Sequence, residues 1–208
     1  MQRCVIVGGA PIGNYEAVRA RLRADDFFVF CDCGLRHAEA LGVTPALIVG
    51  DFDSHENPLL PVETIVLPRE KDDTDTVYAA REALTRGFSD FLLLGMVGGR
   101  LDHTLGNISI LLLLRTHGAH GMIVDDHAEM ELVDAAPKYV EANYPYFSVL
   151  NIGEPVRDVT IRHAKFPLDA AEICAGYQYG ISNEVLPGQT AEITVGEGCA
   201  LLMRIFHE

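Results

Sequence analysis

Basic residues are scarce. The chain sets 16 Lys and Arg against 30 Asp and Glu, a formal net charge of −14 over 208 residues. Such a surface repels nucleic acid and anionic membrane on average, which argues against both as partners. A nucleotide is not excluded, because metal ions and local donors can cancel its charge. Long apolar runs are also missing. The longest, Ile108 to Leu114, is interrupted by Ser109 and falls far short of a membrane span. There is no hydrophobic leader: Met1-Gln2-Arg3 passes straight into Cys4-Val5-Ile6-Val7 and then glycine, so a cytoplasmic protein is expected. The five cysteines, Cys4, Cys31, Cys33, Cys174 and Cys199, make no C-x-x-C pair, and no Cys/His set has zinc-site spacing. An odd count, mostly inside apolar runs, reads as reduced structural thiols.

Hydrophobic residues make up 49% of the chain and charged residues 22%, an ordinary globular composition with room for one large domain or two small ones. Over residues 1–125, short apolar runs end in Gly or Asp. They are Cys4 to Val7, Phe27 to Cys31, Ala46 to Val49, Phe91 to Leu94 and Met122 to Val124. Helix-like stretches separate them at Tyr15 to Arg23, Leu35 to Leu41, Asp75 to Thr85 and Thr104 to Arg115. This alternation predicts an α/β domain in three layers around a parallel sheet. Beyond about Asp126 the period becomes two, as in Glu129 to Val133, Tyr146 to Ile152, Val156 to Ile161, Thr190 to Val195 and Ala200 to Phe206. Residues 126–208 are expected to form an antiparallel β-sandwich.

Chemistry-bearing residues gather where the parallel strands end, the edge at which open α/β sheets bind ligands. Gly50-Asp51-Phe52-Asp53-Ser54 follows one strand. In an extended segment Asp51 and Asp53 point the same way and repel unless a cation lies between them. Mg²⁺ takes a few carboxylates plus phosphate oxygens and water. The plainer reading is a turn whose aspartates cap backbone groups. Lys71-Asp72-Asp73-Thr74-Asp75 precedes a helix, with Thr74 or Asp73 as an ordinary N-cap, yet it holds more carboxylates than a cap requires. Gly95-Met96-Val97-Gly98-Gly99-Arg100-Leu101-Asp102-His103 joins a strand to a helix. Its glycines suit close approach of backbone to phosphate, Arg100 offers a planar fork, and Asp102 can orient it. A plain βα turn is the alternative. Gly8-Gly9-Ala10-Pro11 repeats the theme less specifically. Neither G-x-x-x-x-G-K-[ST] nor G-x-G-x-x-G is present.

Taken in order, G-G-x-P, D-x-G, G-D-F-D-S, K-D-x-T-D and G-x-x-G-G-R-x-D-H resemble the thiamine pyrophosphokinase family, and Gly180-Ile181-Ser182-Asn183 resembles part of its thiamine-binding domain. The resemblance implies transfer of pyrophosphate from ATP to the hydroxyl of thiamine, giving thiamine diphosphate and AMP. It implies an Mg·ATP-binding catalytic domain over residues 1–125 and a thiamine-binding domain over 126–208. It further implies that Asp51, Asp53 and Asp75 hold Mg²⁺ with Asp72 nearby, and that Thr74, Gly98, Gly99, Arg100 and Asp102 line the phosphate path. Asp32 would lie near the nucleotide, and Ser182 and Asn183 would face thiamine. The family also implies a homodimer with its active site at the subunit interface. Two features depart from the family. Trp, which some members place against thiamine, is absent, leaving Tyr177 or Tyr179 as a stacking surface. Cys31-Asp32-Cys33-Gly34 replaces the more usual small residues and paired glycines.

Two other classes compete. Asp51-x-Asp53 after a strand is also found in phosphatases of the haloacid-dehalogenase type, which use the first Asp as nucleophile. However, His55 stands where Thr or Val is usual, and the Arg100 loop would have no role there. A non-catalytic nucleotide sensor would be expected to lose carboxylates that this chain keeps.

Overall fold

Apolar runs of four or five residues without alternation suit strands buried on both faces. The computed structural model, which describes residues 2–52, 60–70 and 72–207, forms them. β1 (Cys4–Val7), β2 (Phe27–Cys31), β3 (Leu47–Gly50), β4 (Glu63–Val66), β5 (Asp90–Leu94) and β6 (His120–Val124) pair in parallel in the order β4-β3-β2-β1-β5-β6. β1 is buried throughout, as is β3. Between the strands lie α1 (Tyr15–Arg19), a 3-10 helix (Asp32–His37), α2 (Ala38–Leu41), α3 (Asp75–Thr85) and α4 (Leu101–Thr116).

The chain steps outward from β1 to β4, then returns to β5 and continues outward on the other side. Right-handed crossovers therefore put α1 and α2 on one face and α3 and α4 on the other. The helices make contacts within those two pairs. The direction of winding reverses between β1 and β5, which makes that junction the topological switch point.

Contacts divide the chain into two compact units, Met1–Asp126 and His127–Glu208. In the second unit, β7 (Ala128–Val133), β13 (Ala200–Ile205) and β9 (Tyr146–Leu150) form one antiparallel set, with β13 central. β11 (Leu168–Ile173), β10 (Val156–Arg162), β12 (Thr190–Thr194) and β8 (Lys138–Glu141) form a second. One apolar cluster draws Phe147, Val149 and Leu202 from the first set and Val140, Ile161 and Ile193 from the second, so the two sets pack as a sandwich.

Several local expectations change. α1 stops at Arg19 instead of Arg23, and residues 20–26 turn back to β2. The stretch before α2 tightens to a 3-10 helix beginning at Asp32. α4 begins at Leu101 rather than Thr104, so Asp102 lies in its first turn. Strands β4, β8 and β11 were not evident from periodicity. The first two are four-residue strands, β4 exposed at both ends and β8 burying only Val140, and β11 reads Leu-Asp-Ala-Ala-Glu-Ile, rich in helix formers.

Alternation in β7 conceals a buried polar network. Glu129 and Glu131 are buried together with Arg204 of β13. Arg204 reaches Glu131 Oε1 at 2.7 Å and Glu129 Oε1 at 3.3 Å, and its Nη2 donates to the Tyr139 carbonyl at 3.0 Å. Lys138 and the Tyr144 hydroxyl complete the set. Removing one member of a buried ion network strands the others, a loss of about 3–5 kcal/mol. Arg204→Ala is expected to destabilise the protein by about that amount in urea denaturation. A change below about 1 kcal/mol would mean that the network contributes little.

Candidate active site

At the switch point two glycines meet. A Cβ on Gly8 would stand 2.7 Å from the Gly95 carbonyl oxygen, and one on Gly95, whose φ is +61°, would stand 2.4 Å from that of Gly8. Neither position accepts a side chain without displacing backbone. The strand ends therefore close on one another, with the amides of Gly8 and Ala10 bonded to Leu94 and Gly95. Above them opens a cavity of about 470 Å³ whose lining includes Asp32, Thr74, Asp75, Gly98, Gly99 and Arg100. Six residues expected at the site are thus brought to one crevice.

The acidic residues arrive by different routes. Asp32 follows β2 at φ +36°. Its Oδ2 accepts from the Cys33 thiol at 3.3 Å, and its Oδ1 is buried with no hydrogen-bond partner among the described residues. Asp75 is the first residue of α3. Thr74 is the N-cap, accepting from the Val77 amide at 3.3 Å, so the capping role in this cluster falls to Thr74. Asp73 pairs with Arg81 at 3.2 Å, and Asp72 is exposed outside the cavity lining. Asp51 is half-buried just beyond β3. The extended geometry expected from Asp51 onward is interrupted, because Phe52 has φ +54°. Asp53, Ser54 and Lys71 lie outside the described residues.

Arg100 sits at the N-cap position of α4. Its Nε and Nη2 donate to the two carboxylate oxygens of Asp102, at 3.1 and 2.5 Å. The guanidinium hydrogen bond holds the Asp102 carboxyl down at about 2. The pair therefore stays ionised across the physiological range. The Gly98 amide is taken by the Thr104 hydroxyl at 3.1 Å.

Sequence reasoning missed the residues that brace this crevice. Buried Asn107 of α4 donates to the Met96 carbonyl at 2.9 Å and accepts from the Thr76 hydroxyl at 2.8 Å. It thereby links the Asp75 helix to the glycine-rich turn. Arg36 donates to the Gly9 carbonyl, and His37 Nε2 meets the Ala10 carbonyl at 3.0 Å. A carbonyl can only accept, so Nε2 carries the proton and Nδ1 accepts from the Tyr15 hydroxyl at 2.6 Å. Asp126 holds the far end of the same loop through the amides of Gly13 and Asn14, at 2.6 and 2.8 Å. The signal for Asn107 was a lone amide at a helical position facing the core. Nothing marked Arg36 or Asp126 before folding.

In the second unit Ser182 is exposed at φ +56°. Asn183, expected to face thiamine, is buried, and its carboxamide is committed to backbone. Its Nδ2 donates to the Phe166 carbonyl at 2.7 Å, and its Oδ1 accepts from the amides of Phe166 at 3.0 Å and Glu184 at 2.9 Å. The Phe166 ring so held is 57% exposed. Tyr177 and Tyr179 are also exposed and lie 5.2 Å apart, centroid to centroid, at 36°.

Backbone turns, carboxylates and a forked cation around one crevice suit charge neutralisation more than covalent chemistry, and the chain is a nucleotide-dependent transferase of the α/β class. Within that class it belongs to the thiamin pyrophosphokinase family. The family's catalytic domain matches residues 18–123, and its vitamin B1 binding domain matches residues 136–200. Thiamine pyrophosphokinase of Bacillus subtilis (strain 168) is 28% identical over 98% of this chain and 99% of its own length. Among solved structures, that of thiamin pyrophosphokinase from Geobacillus thermodenitrificans aligns with a TM-score of 0.83 at 28% identity, covering 98% of this chain and 97% of that one. The Bacillus subtilis structure shares the fold with a TM-score of 0.85 at 24% identity over the whole of both chains. The family's reaction moves pyrophosphate from ATP to thiamine, and this chain is an enzyme of that kind; the phosphatase and sensor readings are not favoured.

Burial, and then the neighbouring Arg36 cation, lower the pKa of His37 from its ordinary value of 6.5. A histidine depressed in the folded state stays neutral there while the unfolded chain takes up the proton. Its contribution is therefore complete above that ordinary value and is lost as pH falls through the folded one. The unfolding free energy is expected to fall as pH drops below 6.5. In His37→Gln, which keeps a donor for Ala10, that fall should be smaller. Urea titrations giving the same slope for both proteins would remove His37 as the cause.

Proposed function

We propose that the crevice between β1 and β5 holds Mg·ATP and that the sandwich presents the thiamine. The observation that carries this reading is the convergence of Asp32, Asp75, the Gly98-Gly99 turn and Arg100 on a single cavity at the switch point. Mg²⁺ fits the donors in a limited way. Among the described residues no cluster of three His, Cys, Asp or Glu has metal-binding geometry. Mg²⁺ bound with a nucleotide needs only one or two carboxylates beside phosphate and water. Asp51, Asp53 and Asp75 would hold it, and the buried Oδ1 of Asp32 supports a cation in the same crevice. When bound, the ion would neutralise charge on the phosphate oxygens.

The thiamine hydroxyl attacks the β-phosphorus and gives its proton to a nearby carboxylate, and the bond from the β-phosphorus to the bridging oxygen breaks, so that AMP leaves with that oxygen. Positioning and charge dominate such a transfer. Arg100, oriented by Asp102, keeps Nη1 uncommitted among the described hydrogen bonds for a phosphate oxygen. Asp72 and Thr74 would flank the phosphate path. Ser182 and the ring of Phe166, clamped by Asn183, offer a face to thiamine, and Phe166 takes the stacking role for which Tyr177 and Tyr179 were considered. A cytoplasmic setting goes with this reading. Among the described residues no helix is long and apolar enough to cross a membrane.

AMP release from ATP should depend on thiamine. Asp51→Asn, Asp53→Asn and Asp75→Asn should each lower turnover by at least ~10²-fold at saturating Mg²⁺. Arg100→Lys keeps the charge but loses the fork, and it should also impair the enzyme. Thiamine-independent AMP release, or normal turnover in all three Asn variants, would reject the assignment.

The resemblance to the family supports a proposal for assembly. The proposed form is a homodimer whose sites combine Asp75 and Arg100 of one copy with Ser182 and Phe166 of the other. Exposed Leu101 and Leu105 on α4, and exposed Phe166 and Ile181 in the sandwich, supply apolar surface for it. Mixing Asp75→Asn chains with Phe166→Ala chains should restore part of the activity, because one site of each mixed dimer is then undamaged. No recovery in a verified mixed dimer would show that each chain is self-sufficient.

A further inference from the structure

Several arginines of the α/β unit are balanced by a carboxylate. Arg3, Arg23, Arg81, Arg86 and Arg100 each hold a carboxylate. Arg36 does not. It lines the crevice, yet among the described residues no carboxylate lies within ion-pair distance of it, although Asp32 is four residues away on the same 3-10 helix. Its described hydrogen bond is the donation from Nη2 to the Gly9 carbonyl, and its Nε lies 3.5 Å from His37 Nε2, which carries a proton and does not accept from it. A guanidinium has five N–H donors, so the greater part of its donor capacity remains. Arg19 and Arg69 hold no described carboxylate either, but they lie outside the cavity lining, so Arg36 is set apart by its place beside Asp32 and Asp75 in the crevice of a chain with a net charge of −14.

A loop tie alone does not explain it. One donor to Gly9 could come from Gln or Lys, and His37 beside it already holds Ala10. Strand order adds a second argument. Arg36 follows β2 and Arg100 follows β5, the two neighbours of β1. The two cations therefore flank the β1 loop from either side. Arg100 is already compensated by Asp102, whereas Arg36 brings an uncompensated charge and a fork that matches phosphate oxygens.

We infer that Arg36 is a second phosphate-binding residue of the enzyme, gripping the triphosphate of ATP from the β2 side while its Nη2 keeps the Gly9 loop in place. This rests on the reading that the crevice binds Mg·ATP. The loop tie and the charge are separable. Arg36→Gln keeps a donor for the Gly9 carbonyl without charge, and Arg36→Lys keeps the charge without the fork.

The experiment measures Kd for Mg·ATP and for adenosine by calorimetry on the parent protein and both variants, with thermal melts alongside. Arg36→Gln should weaken Mg·ATP by about tenfold to a hundredfold, the range for a lost hydrogen bond to a charged group. Adenosine should bind it as it binds the parent. Arg36→Lys should lie between. The ratio of the two affinities within each variant does not depend on how much protein is folded, so a lowered melting temperature does not obscure it. An unchanged ratio in Arg36→Gln would reduce Arg36 to a loop tie and overturn the inference. Failure of the parent to bind Mg·ATP would overturn the nucleotide reading itself, and this inference with it.

Discussion

The close approach of Gly8 to Gly95 is the constraint on which the rest of the site depends. Each position excludes a Cβ because the other's carbonyl already occupies the space. The ends of β1 and β5 can therefore touch through backbone alone, with the side chains of Met96 and Thr76 beside the contact. The charged groups of the cavity come in from the sides, on loops and helix termini. This arrangement suits a highly charged ligand, which needs donors around the rim. It also explains the bracing. A loop such as Gly9 to Asn14, with little side-chain packing of its own, has to be held from outside, and Arg36, His37, Asp126 and Gly95 supply those holds.

The electrostatic organisation follows from the net charge. An acidic chain that binds an anion cannot rely on its general field, because that field opposes association. Attraction has to be local. The glycine-rich turn places Arg100 and Asp102 as a nearly neutral unit, which orients the fork but adds little net charge. Asp32 and Asp75 add negative charge to the same crevice. On the proposed reading, a divalent ion carried with the nucleotide would offset that charge at the carboxylates, with Arg36 adding a fixed cation. Binding and metal occupancy would then be coupled, since the carboxylates repel the bare nucleotide and attract the metal-bound one.

Long, strongly patterned elements were legible in the sequence. α3 spans the expected residues, β1 and β2 do so as well, and the change of period near Asp126 marks the start of the sandwich. What was not legible had little local signal. β4 and β8 are short and bury at most one residue each, so neither burial nor alternation marked them. The argument that Asp51 and Asp53 share a face assumed extended backbone, whereas Phe52 adopts a left-handed conformation that residue type did not announce. Thr74 as an N-cap was readable because capping is chemistry between near neighbours. Arg36, Asp126 and Asn107 act on residues 27, 112 or 113, and 11 or 31 positions away. No short motif contains such pairs.

Asn183 shows how a motif residue can be committed to the backbone around it. In an exposed loop its carboxamide would be available to a substrate. Here it is buried, and both of its ends are engaged by the backbone of Phe166. The reciprocal backbone bonds between Asn183 and Phe147 fix it to β9. The amide therefore transmits the position of a core strand to an exposed aromatic ring. Leaving so large an apolar ring more than half exposed forgoes the gain of burying it, while the buried amide beneath it makes three hydrogen bonds to backbone. Such an arrangement favours a ring kept for a planar partner over one left out of the core by default. Ser182, at φ +56° beside it, is then turned outward by the same buried anchor, so one asparagine sets the geometry of both neighbours.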